Sequence, residues 1–143
     1  MSRPKRSLIP TPSEWRVVRP IKEIADFIRE RLGKRVEEVS DYRIAKFFSI
    51  IEDYVNERTM KSTALAEIVK IIDREFGLSS DEEKERMNAS VIDLLDELHR
   101  RKKEEPIRTY RLVRDLRTLL IQLVRGNLTV EFVPPSSEAM RKG

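Results

Sequence analysis

Only four glycines occur in 143 residues. Three of them, Gly33, Gly77 and Gly126, each close a segment whose apolar residues recur with the 3.6-residue period of an α-helix. A chain punctuated this way has helices to pack and little glycine from which to build strained loops. The expected fold class is all-α: a compact bundle of about five helices, an extended basic N-terminal arm, and a short C-terminal strand or strap.

The segments follow from cap chemistry. Residues 1–19 carry Pro4, Pro10 and Pro12 among polar and basic residues with no period, which predicts the arm. Pro20 suits the first position of a helix that carries Ile21, Ile24, Phe27, Ile28 and Leu32 up to Gly33. A second helix is expected after Ser40 or Asp41, burying Ile44, Phe47, Phe48, Ile51, Tyr54 and Val55 and ending near Arg58. Ser62 or Thr63 can cap a third, with Leu65, Ile68, Val69, Ile72 and Phe76 inside, Gly77 as stop and Leu78 as the apolar contact of a Schellman motif. Ser80 to Glu83 reads as a capping box for a fourth, running through Met87, Val91, Leu94, Leu95 and Leu98 to about Lys103. Pro106 starts the fifth, with Tyr110, Val113, Leu116, Leu120, Leu123 and Val124 on its inner face. The bundle therefore spans 20–126 and an extended segment 127–143. In that segment Leu128 to Val133 alternates like a strand, which must pair with another chain or lie as a strap over its own core.

A chain of this length supports one core. Charged residues reach 38%, against about 25% in an average globular protein. Asn occurs three times, Gln once and Cys never. Scarce thermolabile residues and abundant charge are the pattern of a hyperthermophile protein. The longest apolar runs, Phe47 to Ile51 and Leu119 to Val124, are far short of a membrane span, and no apolar stretch follows the basic N-terminus as a secretory signal would require. A soluble protein of the cytoplasm, or of a virion assembled there, is expected.

Charge is segregated along the chain. Residues 1–19 hold five bases, Arg3, Lys5, Arg6, Arg16 and Arg19, against Glu14 alone, while residues 20–98 hold 13 bases against 19 acids. Residues 99–125 hold Arg100, Arg101, Lys102, Lys103, Arg108, Arg111, Arg114, Arg117 and Arg125 against Glu104, Glu105 and Asp115. The four arginines from Arg108 to Arg117 recur every third residue and so form a slow spiral on a helix. Each guanidinium can grip a phosphate with two hydrogen bonds, and a basic arm is what a polyanion recruits. These bases, Arg125 apart, are the candidate nucleic-acid-binding residues. Two structural alternatives stand beside that reading: Arg100 to Lys103 complement the negative end of the fourth helix, and the late arginines can pair with acids of the bundle. Trp15 can stack on a base or dock the arm onto the domain.

No catalytic chemistry can be assembled. His99 is the one histidine; Asp96 to His99 has the spacing of a helical metal pair but no second such motif accompanies it. Glycine-rich phosphate loops, nucleophile elbows and zinc spacings are missing. Glu67, Asp73 and Glu75 on the third helix argue against a helix-turn-helix reader. A non-enzyme without metal or cofactor is expected.

A basic, proline-bearing arm, Arg3 to Arg19, ahead of a small bundle, Pro20 to Arg125, resembles the coat proteins of rod-shaped and filamentous viruses of hyperthermophilic archaea. The resemblance is architectural and implies bundles tiling a helical shell while N-terminal segments wrap double-stranded DNA. It implies a structural protein that packages nucleic acid through its phosphate backbone, as a homo- or hetero-oligomer without a membrane span. Val39 to Ile51 is also similar to small helical subunits of type III CRISPR effectors. An adaptor or inhibitor of a replication or transcription complex is the remaining alternative.

Overall fold

The computed structural model describes residues 6–132, so the expectations at Arg3, Lys5, Val133, Pro134 and Pro135 lie outside the described residues. Over these described residues the fold is an all-α bundle of six α-helices with a two-stranded parallel sheet. In chain order the elements are β1 (Arg6–Leu8), α1 (Pro12–Leu32), α2 (Asp41–Ala45), α3 (Phe48–Val55), α4 (Lys61–Phe76), α5 (Asp81–Glu104), α6 (Pro106–Arg125) and β2 (Leu128–Val130), with a 3-10 helix, Gly33–Glu38, after α1. No helix of the described residues is long and apolar enough to cross a membrane.

The N-terminal arm is shorter than expected, because α1 begins at Pro12 and not at Pro20. Thr11 and Glu14 form a reciprocal capping box: the Thr11 amide donates to Glu14 Oε1 at 2.9 Å and the Glu14 amide donates to Thr11 Oγ1 at 3.4 Å. Pro20 then lies inside the helix, where its missing N–H and its ring cost about 3 kcal/mol. Val17 and Val18, both buried, continue the apolar face of Ile21 and Ile24 across that proline, and each contributes roughly 1.5–3 kcal/mol, enough to offset it.

The expected second helix is two. The chain breaks at Lys46 and Phe47 with tight bonds from the Ser49 amide to Lys46 O at 3.2 Å and from the Ile50 amide to Phe47 O at 3.0 Å. On either side of the break Phe47 and Phe48 are both buried, their rings 5.0 Å apart.

The later helices begin and end close to the expected positions, with changed details. The α4 cap is Met60, which offers no side-chain bond, rather than Ser62 or Thr63. At Gly77 the Leu78 amide donates to the Asp73 carboxylate at 2.8 Å, where a Schellman motif would use a carbonyl. At Gly126, by contrast, the Asn127 amide reaches back to Gln122 O at 3.0 Å, closing a Schellman turn with Gly126 left-handed at φ 77°. At the start of α5, Ser80 caps the Glu83 amide, but Glu83 returns its carboxylate to the Ser79 amide and hydroxyl.

α1 is the central helix, packed between α5 and α6, with α3 and α4 closing the bundle. Residues 128–130 pair with the chain's own Arg6–Leu8 in parallel register, Arg6 opposite Leu128 and Leu8 opposite Val130. Val130 is buried, so the segment does the work of a strap while its backbone is paired.

Candidate nucleic-acid interface

The structure sorts the candidate bases into two groups. The first gathers on the seam between α1 and α5, around Glu97. This carboxylate is 8% exposed and accepts from Arg100 Nη2 at 2.5 Å and from Arg101 Nε at 2.7 Å, with Arg16 Nη1 at 4.0 Å. Burial pushes the Glu97 carboxyl up, but the hydrogen bonds from Arg100 and Arg101 outweigh it and hold the group below the ordinary carboxylate value. The same contact raises Arg100 above its usual range. Arg101 also donates to Ser13 O at 2.6 Å, tying the start of α1 to the end of α5.

Lys102 reaches toward Glu57 at 3.8 Å and lies 5.9 Å from the Tyr110 ring centroid. Arg125 donates to Asp41 at 2.9 Å and to the carbonyls of Val36 and Val39, so it holds the 3-10 helix against α6. Trp15 docks rather than projects: its indole N–H donates to Pro10 O at 3.0 Å and its ring meets Phe132 edge-on at 5.5 Å.

The second group lies along the outer face of α6. Arg111 and Arg114 are exposed and Arg117 is half-buried; none has an ion-pair partner among the described residues. Arg108 at the start of the spiral is 79% exposed and has only an exposed contact to Glu105 at 3.3 Å. Lys103, Arg19 and Arg6 are likewise exposed with no ion pair among the described residues. Arg6 sits on β1, Arg19 on the α1 seam, and the two are not brought onto the α6 face.

Tyr110 and Ile107 were not recognisable as part of this surface. Tyr110 is expected inside but is 41% exposed, and Ile107 is 68% exposed on the same face. Tyr110 and Arg114 line a small groove of about 220 Å³ against Glu52 and Val55 of α3 and Asn56 just after it. The face thus alternates guanidinium with apolar or aromatic side chains, a surface that can hold phosphates and stack a ring.

His99 lies exposed with Tyr54 6.3 Å away, and among the described residues no three acids, histidines or cysteines converge on a metal position. Burial raises Tyr54, helped by the negative charge of Asp96, which Lys61 binds at 2.5 Å. Compared with known protein families, curated proteins and solved structures, the chain matches none.

Proposed function

We propose that the protein is a non-catalytic nucleic-acid-binding protein that holds a phosphate backbone on the outer face of α6. The observation that carries the reading is that Arg111, Arg114 and Arg117 stand on that face without a carboxylate partner among the described residues. Phosphate contacts set position without reading sequence, and counterion release makes such binding steeply salt-dependent. The reading extends to packaging, with many copies along double-stranded DNA.

The seam bases have a different role here. Arg100 and Arg101 hold Glu97 and contribute to folding, so the reading places the phosphates on Arg108, Arg111, Arg114 and Arg117, with Lys103 beside them.

Fluorescence anisotropy of a labelled duplex through a salt series tests it. Arg111→Gln/Arg114→Gln should lower the slope of log affinity against log salt by about 2, one per lost contact. An unaltered slope overturns the reading. Packaging predicts regular filaments in electron micrographs only when DNA is present.

A second reading has its own observation. Ile107 and Tyr110 put apolar area between the arginines, the mixture that protein interfaces favour. An adaptor that docks an acidic protein through α6 would show no affinity for duplex or single strands at moderate salt, and Ile107→Ser would weaken partner binding.

A further inference from the structure

We infer that the outward stripe of α1, with the α5 wall beside it, is a two-fold self-association surface, and that its occupant is a second, antiparallel copy of this chain. Arg16, Arg19, Glu23, Asp26 and Glu30 follow one another at steps of three, four, three and four, and all five are exposed. That spacing puts them on one stripe of the 21-residue helix, opposite the buried face of Ile21, Ile24 and Ile28. The stripe is bipolar, with bases toward its N-terminus and acids toward its C-terminus.

This order is the reverse of what the helix dipole favours, and Arg19 followed by Glu23 is the weaker orientation for a pair four residues apart. In the monomer Arg19 and Glu30 have no ion-pair partner among the described residues, while Arg16 has only a 4.0 Å approach to Glu97 and Asp26 an exposed pair with Lys22. A second α1 laid antiparallel about an axis at Glu23 sets Arg16 against Glu30 and Arg19 against Asp26 and Phe27. One operation gives Arg19 and Glu30 partners of opposite charge, which is the self-complementarity a two-fold interface requires.

The α5 wall extends the pattern. Beside the acidic half of the stripe is an open groove of about 530 Å³ lined by Asp26, Phe27, Glu30, Met87, Ala89 and Asp93, among other residues. Arg86 of this groove is paired with Glu82 at 2.8 Å. Asp26 is held by Lys22 at 2.6 Å on the exposed side and Glu83 by Arg31, while Glu30 and Asp93 have no ion-pair partner among the described residues, so Glu30 and Asp93 are the free acids of the rim. Beside the basic half, Arg16, Arg19 and Arg100 line a second groove with Trp15. Of the acids there, Asp96 is engaged by Lys61 at 2.5 Å and Glu97 by Arg100 and Arg101, while Asp93 stands between the two grooves and lines both. Apolar floor at one end receives the aliphatic stem of an arginine from the other copy, whose guanidinium meets the acidic rim.

Area sets the strength. A helix of this length spans roughly 31 Å, and two helix widths across it give about 600 Å² per partner, near the lower bound for a specific interface. The dimer is therefore modest and salt-sensitive. Its internal cost is the approach of the two Glu23 carboxylates at the axis, each held sideways by the Ser90 hydroxyl at 2.6 Å.

Sedimentation of the full chain without nucleic acid tests this separately from the α6 reading, since none of the varied residues lies on α6. At about 0.05 M salt a dimer is expected, weakened roughly tenfold or more at about 0.5 M as the Debye length shrinks. Arg19→Glu should weaken it about tenfold and addition of Asp26→Arg should restore it; Glu23→Gln should tighten it several-fold. Arg19 has no ion-pair partner among the described residues, so melting of Arg19→Glu reports whether the fold is intact. A monomer at low salt and about 0.5 mM, indifference to Arg19→Glu, failure of Asp26→Arg to restore, or growth beyond two copies would each overturn the inference.

Discussion

The α1/α5 seam and the outer face of α6 carry the same residue type to opposite ends. Glu97 has Arg100 three residues on and Arg101 four residues on, so both guanidiniums fall on its carboxylate without leaving the helix. On α6 the neighbours one turn from Arg114 are Tyr110, Arg111, Arg117 and Thr118, which supply no carboxylate. Arg111 does have Asp115 four residues on, but in the order base then acid, and the two do not come within ion-pair distance. Net charge along a segment therefore says little about its availability. The residues three and four positions away decide whether a guanidinium is spent on folding or left to bind.

The widest way to break this contrast is to remove the seam's acceptor. Glu97→Gln removes the charge that Arg100 and Arg101 share, and losing those charge-assisted hydrogen bonds should cost about 2–3 kcal/mol in denaturant unfolding, with no loss of duplex affinity. A drop in affinity with unchanged stability would reverse the roles assigned to the two regions. Next in size is Arg111→Gln/Arg114→Gln, which should do the converse. Loss of two phosphate contacts should weaken duplex binding about 30-fold, or about 2 kcal/mol, while stability stays within about 0.5 kcal/mol.

Much of the bundle was legible because helix ends are local chemistry. Gly77, Ser80, Pro106 and Gly126 mark their ends from sequence alone, since the cap groups lie within a few residues of the backbone they satisfy. Thr11 to Glu14 carried the same kind of signal, yet four prolines nearby suggested a broken chain, and only burial of Val17 and Val18 carries the helix across Pro20. The split at Phe47 had no local mark, because neither glycine nor proline interrupts the apolar pattern there. Three residues of β1 show no period, and their pairing with Leu128–Val130 is a contact across the length of the chain. For the candidate interface, the spiral of arginines was legible and its charge balance was not. Tyr110 continues an apolar pattern but sits where that pattern meets solvent.

Acid offers a smaller test of the same contrast. Glu97, Glu83 and Glu75 all titrate below their ordinary value of 4.5 in the folded chain. Burial opposes this at Glu97, where hydrogen bonds from Arg100 and Arg101 prevail; Ser79 dominates at Glu83, and Lys46 at Glu75. A folded value below the unfolded one means stability is fully present above about pH 4.5 and is lost as pH falls through the folded values. Melting temperature should hold level from pH 7 to 5 and decline below 4.5. Glu97→Gln should flatten that decline, whereas Arg111→Gln/Arg114→Gln should leave its shape alone.

Trp15→Phe is the smallest and most pointed change, because it concerns a residue that either region could claim. An indole that stacked on bases would lose affinity when reduced to a phenyl ring of smaller face, and lose little stability. The observed indole instead donates to Pro10 O and meets Phe132 edge-on, contacts that join the turn before α1 to the chain just beyond β2. Phenylalanine keeps the edge contact and forfeits the hydrogen bond, so the expected loss is about 1 kcal/mol of stability, read as a shift of several degrees in melting. Duplex affinity should be unchanged within error. If affinity fell while the melting temperature held, Trp15 would belong with the α6 arginines as part of the binding surface, and the boundary between folding and binding residues would have to be redrawn through α1.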